Sequence, residues 1–197
     1  MLTNMKVLAL NGSPQRDGNT AASIGIVLAG LEKHGIETEL VQVGGSLLHG
    51  CKACYACHMT KSGRCAVTSD PMNEWIEKMM TADGILLGSP VYFYDVSSEM
   101  IALIDRAGFV ARGNDRMFKH KVGAALVVKR RTGAVHALDT LNHFFSSMQM
   151  FIVGGSNNLI ADKAVGVEND AEGIRNMQIL GENMALLLKM RNSFQYL

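Results

Sequence analysis

Short apolar runs alternate with stretches of helical period along most of this chain. Lys6-Val7-Leu8-Ala9-Leu10 is apolar and ends in turn formers, the pattern of a strand buried on both faces. Residues 20 to about 34 put Ile24, Val27, Leu28 and Leu31 on one helical stripe, which Gly35 stops. Residues 37–43 read as a second strand. Pro71 opens a helix reaching about residue 81, where Pro is tolerated because its missing N–H would be unpaired anyway. A third strand at 85–87, a helix at about 98–111, a fourth strand at 122–128, a helix at 134–147 and a fifth strand at 150–153 follow. The last helix covers about 171–190. Met79, Met80 and Met184 fall at helical core spacing. Five strands alternating with five helices predict an α/β fold. It is a doubly wound parallel sheet of order 2-1-3-4-5, with helices on both faces and a ligand at the carboxyl ends of strands 1 and 3.

Two stretches break this rhythm. Residues 11–19 are too rich in turn formers to be anything but loop. Residues 44–70 have no clear period and are too long for an ordinary connection, so they read as a functional insertion after strand 2 of one domain spanning 1–197. Residues 1–4 read as a short ragged extension.

Composition narrows the partners. Hydrophobic residues make up 48% and charged residues 19%, which suits a buried core and excludes a disordered chain. Net charge is +1 with no basic stripe, so nucleic acid is not expected as a partner. No apolar run approaches the roughly 20 residues of a membrane helix. The N-terminal residues lack a charged segment followed by an apolar one, and the expectation is a cytoplasmic protein. No acid–base or nucleophilic constellation stands out, which points to chemistry carried by a cofactor.

The first loop lies where an anion should bind. A helix N-terminus offers unpaired N–H groups and a positive dipole end. Ser13, Asn19 and Thr20 add donors, Gly12 and Gly18 allow close backbone approach, and Arg16 offers a charge. No Gly-Lys-Ser/Thr ends the loop and it is not G-x-G-x-x-G, so a monophosphate is favoured over a nucleoside triphosphate or a dinucleotide. The plainer alternative is an ordinary turn with Thr20 as a helix cap.

Leu10-Asn11-Gly12-Ser13-Pro14-Gln15-Arg16-Asp17-Gly18-Asn19-Thr20 resembles the opening of the NADPH-dependent FMN reductase and iron–sulfur flavoprotein family, with Gln15 at the usual Arg position. Gly88-Ser89-Pro90-Val91-Tyr92-Phe93-Tyr94 matches that family's second signature, S-P-V-Y. The likeness covers about residues 5–190 and implies a flavodoxin-like fold that binds FMN. It also implies an isoalloxazine ring held by Ser89, Pro90, Val91, Tyr92, Phe93 and Tyr94. A third loop, Lys129-Arg130-Arg131-Thr132-Gly133, is implied to approach the ring's pyrimidine end through Arg131 and Gly133. The alternatives are aromatics packed on the core and a solvated basic loop. Asp105-Arg106 is retained from the family and reads as a structural ion pair or helix contact, whereas Ile101 replaces a family Lys. A homodimer or homotetramer is implied as well.

All four cysteines lie in the insertion, as Cys51, Cys54, Cys57 and Cys65 in a C-x2-C-x2-C-x7-C pattern. Such clustering points to metal or redox chemistry. Three thiolates at this spacing can wrap one face of a cubane, as in bacterial ferredoxins. Zinc more often uses two C-x2-C pairs further apart. The resemblance to iron–sulfur flavoproteins implies a [4Fe–4S] cluster, with free thiols or zinc as alternatives. His58 reads as a surface residue rather than a ligand.

These features lead to an FMN-dependent oxidoreductase. Its cluster would relay electrons from a ferredoxin-like donor to FMN and on to a small-molecule acceptor. The rivals are a cluster-free NAD(P)H-dependent FMN or quinone reductase and a non-enzymatic flavin- or metal-binding regulator.

Overall fold

The computed structural model describes residues 5–155, 158–160 and 166–194; the expected extension at 1–4 lies outside them. The elements in chain order are β1 (Lys6–Asn11), α1 (Asn19–Lys33), β2 (Glu37–Gln42), α2 (Ala56–Thr60), α3 (Met72–Thr81), β3 (Gly84–Pro90) and α4 (Ser98–Gly113). There follow β4 (Val122–Lys129), α5 (Ala134–Ser147), β5 (Phe151–Ile152), β6 (Asn158–Ile160), a 3₁₀ turn at Val167–Asn169 and α6 (Ala171–Ser193).

The sheet is parallel, in the order β2-β1-β3-β4-β5, the flavodoxin-like arrangement. The fifth strand is shorter than its apolar run suggested. β5 pairs only with Val122 and Gly123, and β6 takes the far end of β4 at Val127–Lys129. The strand beside β4 is thus split in two around Gly154 and Gly155. Glycine weakens strand propagation because it offers no side chain to pack.

Strand side chains alternate between two cores, as the pleat requires. Leu8, Leu10, Ile85, Leu87, Ala125 and Val127 face α3, α4 and α5, meeting Trp75, Met100, Leu103 and Phe145. Val7, Ala9, Leu86, Ala124 and Leu126 face α1 and α6, meeting Ile24, Leu31, Met177 and Met184. α1 and α6 come close at Gly30 and Gly181, where an added Cβ on Gly181 would lie 2.8 Å from the Val27 carbonyl oxygen. Met79 and Met184 are core residues, but Met80 is 43% exposed and is not. No helix among the described residues is long and apolar enough to cross a membrane.

Candidate functional site

β1, β3 and β4 deliver three loops to one edge of the sheet. The first loop is fastened from below. The register sets Asn11 beside Gln42, and Asn11 Nδ2 donates to Gln42 Oε1 at 2.9 Å. Asn11 Oδ1 accepts from the Ser13 amide at 3.0 Å, and Ser13 Oγ accepts from the Gln15 amide at 3.2 Å. Gln42 Nε2 donates to the carbonyls of Ser13 and Gly44. Such linked side-chain bonds fix a turn that the backbone alone would not hold. Gln42 went unnoticed in the sequence; its only signal there is that it ends β2 as Asn11 ends β1.

The loop closes over Gly18, the N-cap of α1, which contributes no side-chain cap. Thr20 is buried inside the first turn rather than capping it. Ser13 is buried, Gly18 and Asn19 are half-buried, and Pro14, Gln15 and Arg16 are exposed. The helix start therefore turns backbone N–H groups toward the loop, the arrangement that receives a phosphate.

The second loop is tied to the first. Gly12 N–H donates to the Gly88 carbonyl at 2.7 Å. Ser97 Oγ donates to the Gly12 carbonyl at 2.7 Å, and the Ser97 amide donates to Ser89 Oγ at 3.0 Å. Ser97 also caps α4 by accepting from the Met100 amide. Beyond half-buried Pro90 and Val91, the side chains turn outward: Tyr92, Phe93 and Tyr94 are 54%, 92% and 61% exposed. They do not pack on the core. Phe93 and Tyr94 meet edge to face, with centroids 5.5 Å apart. Tyr94 sits at φ 65°, an uncommon conformation for an aromatic residue. Burial, and then the nearby Glu99 charge, push the Tyr92 phenol up from its ordinary pKa.

The third loop touches the second. Gly133, at φ 89°, begins α5, and an added Cβ there would lie 2.8 Å from Val91 Cγ1 and 3.2 Å from Tyr94 Cα. Glycine is required at this contact both for its φ and for the missing Cβ. Arg131 is exposed on the same loop.

The four cysteines come together. Cys51, Cys54, Cys57 and Cys65 all line one cavity, with Arg106 and Phe109 of α4 forming part of its wall. Cys57 is buried, Cys65 half-buried, and Cys51 and Cys54 exposed; all are free thiols. Ala53 (φ 49°) and Tyr55 (φ 58°) take left-handed conformations between them, which lets the short C-x2-C-x2-C segment curl. Asn73 clamps Cys65 through its amide at 2.7 Å and its carbonyl at 2.9 Å. Asn114 Nδ2 donates to the Cys57 carbonyl at 3.2 Å. Neither asparagine carries a sequence signal for this work. His58, expected at the surface, is half-buried: its Nε2 lies 3.0 Å from the Phe109 carbonyl, and its ring packs against Phe109.

The expected role of Asp105 needs correction. Asp105 is exposed, whereas Arg106 turns inward and pairs with Asp70, both side chains being almost wholly buried. Successive residues of a helix are turned about 100° apart, so sequence neighbours point to different faces. Arg106 Nη1 donates to Asp70 Oδ2 and, at 3.2 Å, to the His49 carbonyl. Its Nη2 donates to the Val67 carbonyl at 3.1 Å and approaches Cys65 Sγ at 3.4 Å. Burial is the largest single influence and works against both charges, but the hydrogen bond and charge attraction between them, together with further hydrogen bonds around the pair, outweigh it. Asp70 is held below, and Arg106 above, its ordinary pKa. Burial raises the Cys57 thiol, with Cys65 adding to the effect.

Among the described residues, no three His, Cys, Asp or Glu side chains already stand at the distances of a bound metal ion. The donor set nevertheless suits a soft, anionic centre. It has four sulfurs on one cavity, a fixed cation in the wall, and a buried Arg106 Nε with no hydrogen-bond partner.

Comparison with known proteins agrees with this geometry. Residues 5–164 match the family model described as NADPH-dependent FMN reductase. An iron–sulfur flavoprotein of Methanocaldococcus jannaschii is 32% identical, over 94% of this chain and 98% of its own. One of Methanosarcina thermophila is 30% identical, over 94% of this chain and 96% of its own. Among solved structures, RosB with bound 8-demethyl-8-formylriboflavin-5'-phosphate superposes with a TM-score of 0.77 at 19% identity. That superposition covers 98% of this chain and 82% of RosB.

Proposed function

The chain belongs to the NADPH-dependent FMN reductase family and is an FMN-dependent oxidoreductase; from that premise we propose that it is an iron–sulfur flavoprotein carrying a [4Fe–4S] centre on Cys51, Cys54, Cys57 and Cys65. The observation that carries the reading is the convergence of all four thiols on one cavity walled by a buried guanidinium. The relatives' names support it.

In this reading the FMN phosphate is held by Ser13, Gly18, Asn19 and Thr20, with Pro14, Gln15 and Arg16 forming the outer lip. Ser89, Pro90 and Val91 line the ring site, Tyr92, Phe93 and Tyr94 offer aromatic faces over it, and Gly133 and Arg131 close its far side. Bound FMN supplies redox chemistry in one- or two-electron steps. The chain's own part is placement. The Asn11–Gln42–Ser13 network holds the phosphate loop before binding, which lowers the ordering cost of binding. The exposed aromatics give the ring a surface on which to stack and exclude water. The four thiolates would hold the iron centre, which would supply single-electron chemistry there. A ferredoxin-like protein donates electrons and a small molecule accepts them. The single domain acts in the cytoplasm as a homodimer or homotetramer.

Anaerobically isolated protein is expected to carry one FMN together with about four iron and four acid-labile sulfide per chain. Yellow protein without iron or sulfide would sink the cluster. The second reading, a cluster-free reductase using NAD(P)H directly, is favoured by the match of residues 5–164 to the NADPH-dependent FMN reductase family model. Fast bleaching of the flavin by NADPH in iron-free protein would establish it.

A further inference from the structure

Arg106 does more than pair with Asp70. Its acceptors come from both arms of the cysteine segment: the His49 carbonyl before the first cysteine, the last cysteine, Cys65, and Val67 and Asp70 beyond it. One Asp70 carboxylate would satisfy the charge of a buried arginine. This guanidinium also reaches a cysteine sulfur, at 3.4 Å, on the cavity that all four thiols line, and among the described residues its buried Nε has no hydrogen-bond partner.

We propose that Arg106 is a positioning residue that sets the reduction potential of the centre on the four cysteines, by donating to Cys65 Sγ and holding a fixed positive charge against the cavity. The inference rests on the iron–sulfur reading above. Its physical basis is simple. When a ferredoxin-like donor passes one electron in, the thiolate-ligated centre gains one unit of negative charge, while the guanidinium stays at +1 throughout. The N–H···S bond and the charge therefore stabilise the reduced form more than the oxidised one and raise the potential. Hydrogen bonds to the sulfurs and net charge are the main means by which proteins set cluster potentials. Asp70 offsets part of the charge and aims the planar fork.

The test uses the full-length, anaerobically prepared holoprotein. The midpoint potential of the iron centre is followed by EPR during a redox titration, with the FMN potential read in the same sample as the internal control. Arg106→Gln is expected to lower the cluster potential by about 59 mV, a tenfold change for one electron, and to leave the flavin potential unmoved. Arg106→Lys, which keeps the charge and loses the fork, is expected to recover part of the difference. A purely structural staple predicts otherwise. A Gln variant with full iron and an unchanged cluster potential, or with cluster and flavin shifted together, overturns the proposal. A readout on the unmodified protein guards against variants that do not fold. With ¹⁵N-arginine labelling, pulsed EPR of the reduced centre is expected to show one coupled arginine nitrogen, and its absence overturns the proposal. Wild-type protein without iron would instead remove the iron–sulfur reading itself, and the two failures are told apart by the iron count.

Discussion

A methyl group added at Gly44 would sit 2.2 Å from the Ser13 carbonyl carbon and 2.4 Å from the Gly12 carbonyl oxygen. Both neighbours are backbone, so neither can swing away. Gly44→Ala is expected to displace the phosphate loop and weaken FMN at least tenfold (~1.4 kcal/mol), which titration of flavin fluorescence would detect. The same reasoning applies to Asp70. Asp70→Asn leaves the Arg106 guanidinium buried without its counter-charge, an expected loss of ~3–5 kcal/mol read by urea unfolding. The sign of the pH effect follows from the depressed carboxylate. In the wild type its contribution is complete above about pH 4, the ordinary Asp value, and disappears as pH falls through the lower folded value. The Asn variant should show a flatter stability curve over that acid range. Residues of this kind were only partly legible in the sequence. Ser13, Gly18 and Ser89 announce themselves because turn chemistry is local. Asp70, Asn73 and Gln42 do not, because each is defined by a partner that the fold supplies from elsewhere in the chain.

At the scale of elements, α4 ties the site together. Its N-cap Ser97 holds the first two loops, and its third turn carries Arg106 to the cysteine cavity. Ser97→Ala removes a cap worth ~1 kcal/mol and leaves the Gly12 carbonyl without its buried donor, adding ~1 kcal/mol or more. The expected outcome is a stability loss of ~2 kcal/mol in urea titration, with weaker FMN binding measured in parallel. The long helices and the central strands follow the apolar periodicity closely, since each helix buries a stripe in one of two cores and each central strand feeds both. The misses are elements too short to have a period. α2 has five residues and forms against α4, and β6 has three and forms against β4. Their stability is tertiary, so no local pattern foretells them. The boundary of β5 differs because an apolar run marks candidates for a strand and not its ladder: of residues 150–153, Phe151 and Ile152 pair with β4 and are exposed, whereas Met150 and Val153 are buried at its flanks.

Across the whole molecule, the three loops proposed to hold flavin gather at the carboxyl ends of the strands, where the order of the sheet reverses, and the cysteine segment packs further along α4. The core against α3, α4 and α5 draws on the cysteine segment through Cys57, with Leu48 and Cys65 at its margin; the core against α1 and α6 holds no residue of it among the described ones. Removing iron with a chelator should therefore leave the sheet folded. FMN affinity is expected to change less than threefold, while amides of residues 51–65 lose protection in hydrogen exchange. Loss of flavin along with iron would show instead that the two sites share one folding unit. The topology was readable at this scale because alternating strands and helices leave few ways to connect. The way the insertion folds back on α4 was not, since residues 44–70 carry no period from which a contact could be inferred.

The helix between the two sites also fixes a length. Ser97 and Arg106 are nine positions apart, which at the α-helical rise is about 13–14 Å. A single residue added or lost between them would turn Arg106 by about 100° around the helix axis and swing it out of the cavity. Substitutions along the outer face leave this spacing intact, but an insertion or deletion cannot. Among descendants of this chain that keep both centres, the helix should drift in composition and stay constant in count. Its measure, more than any one of its residues, would be what selection preserves.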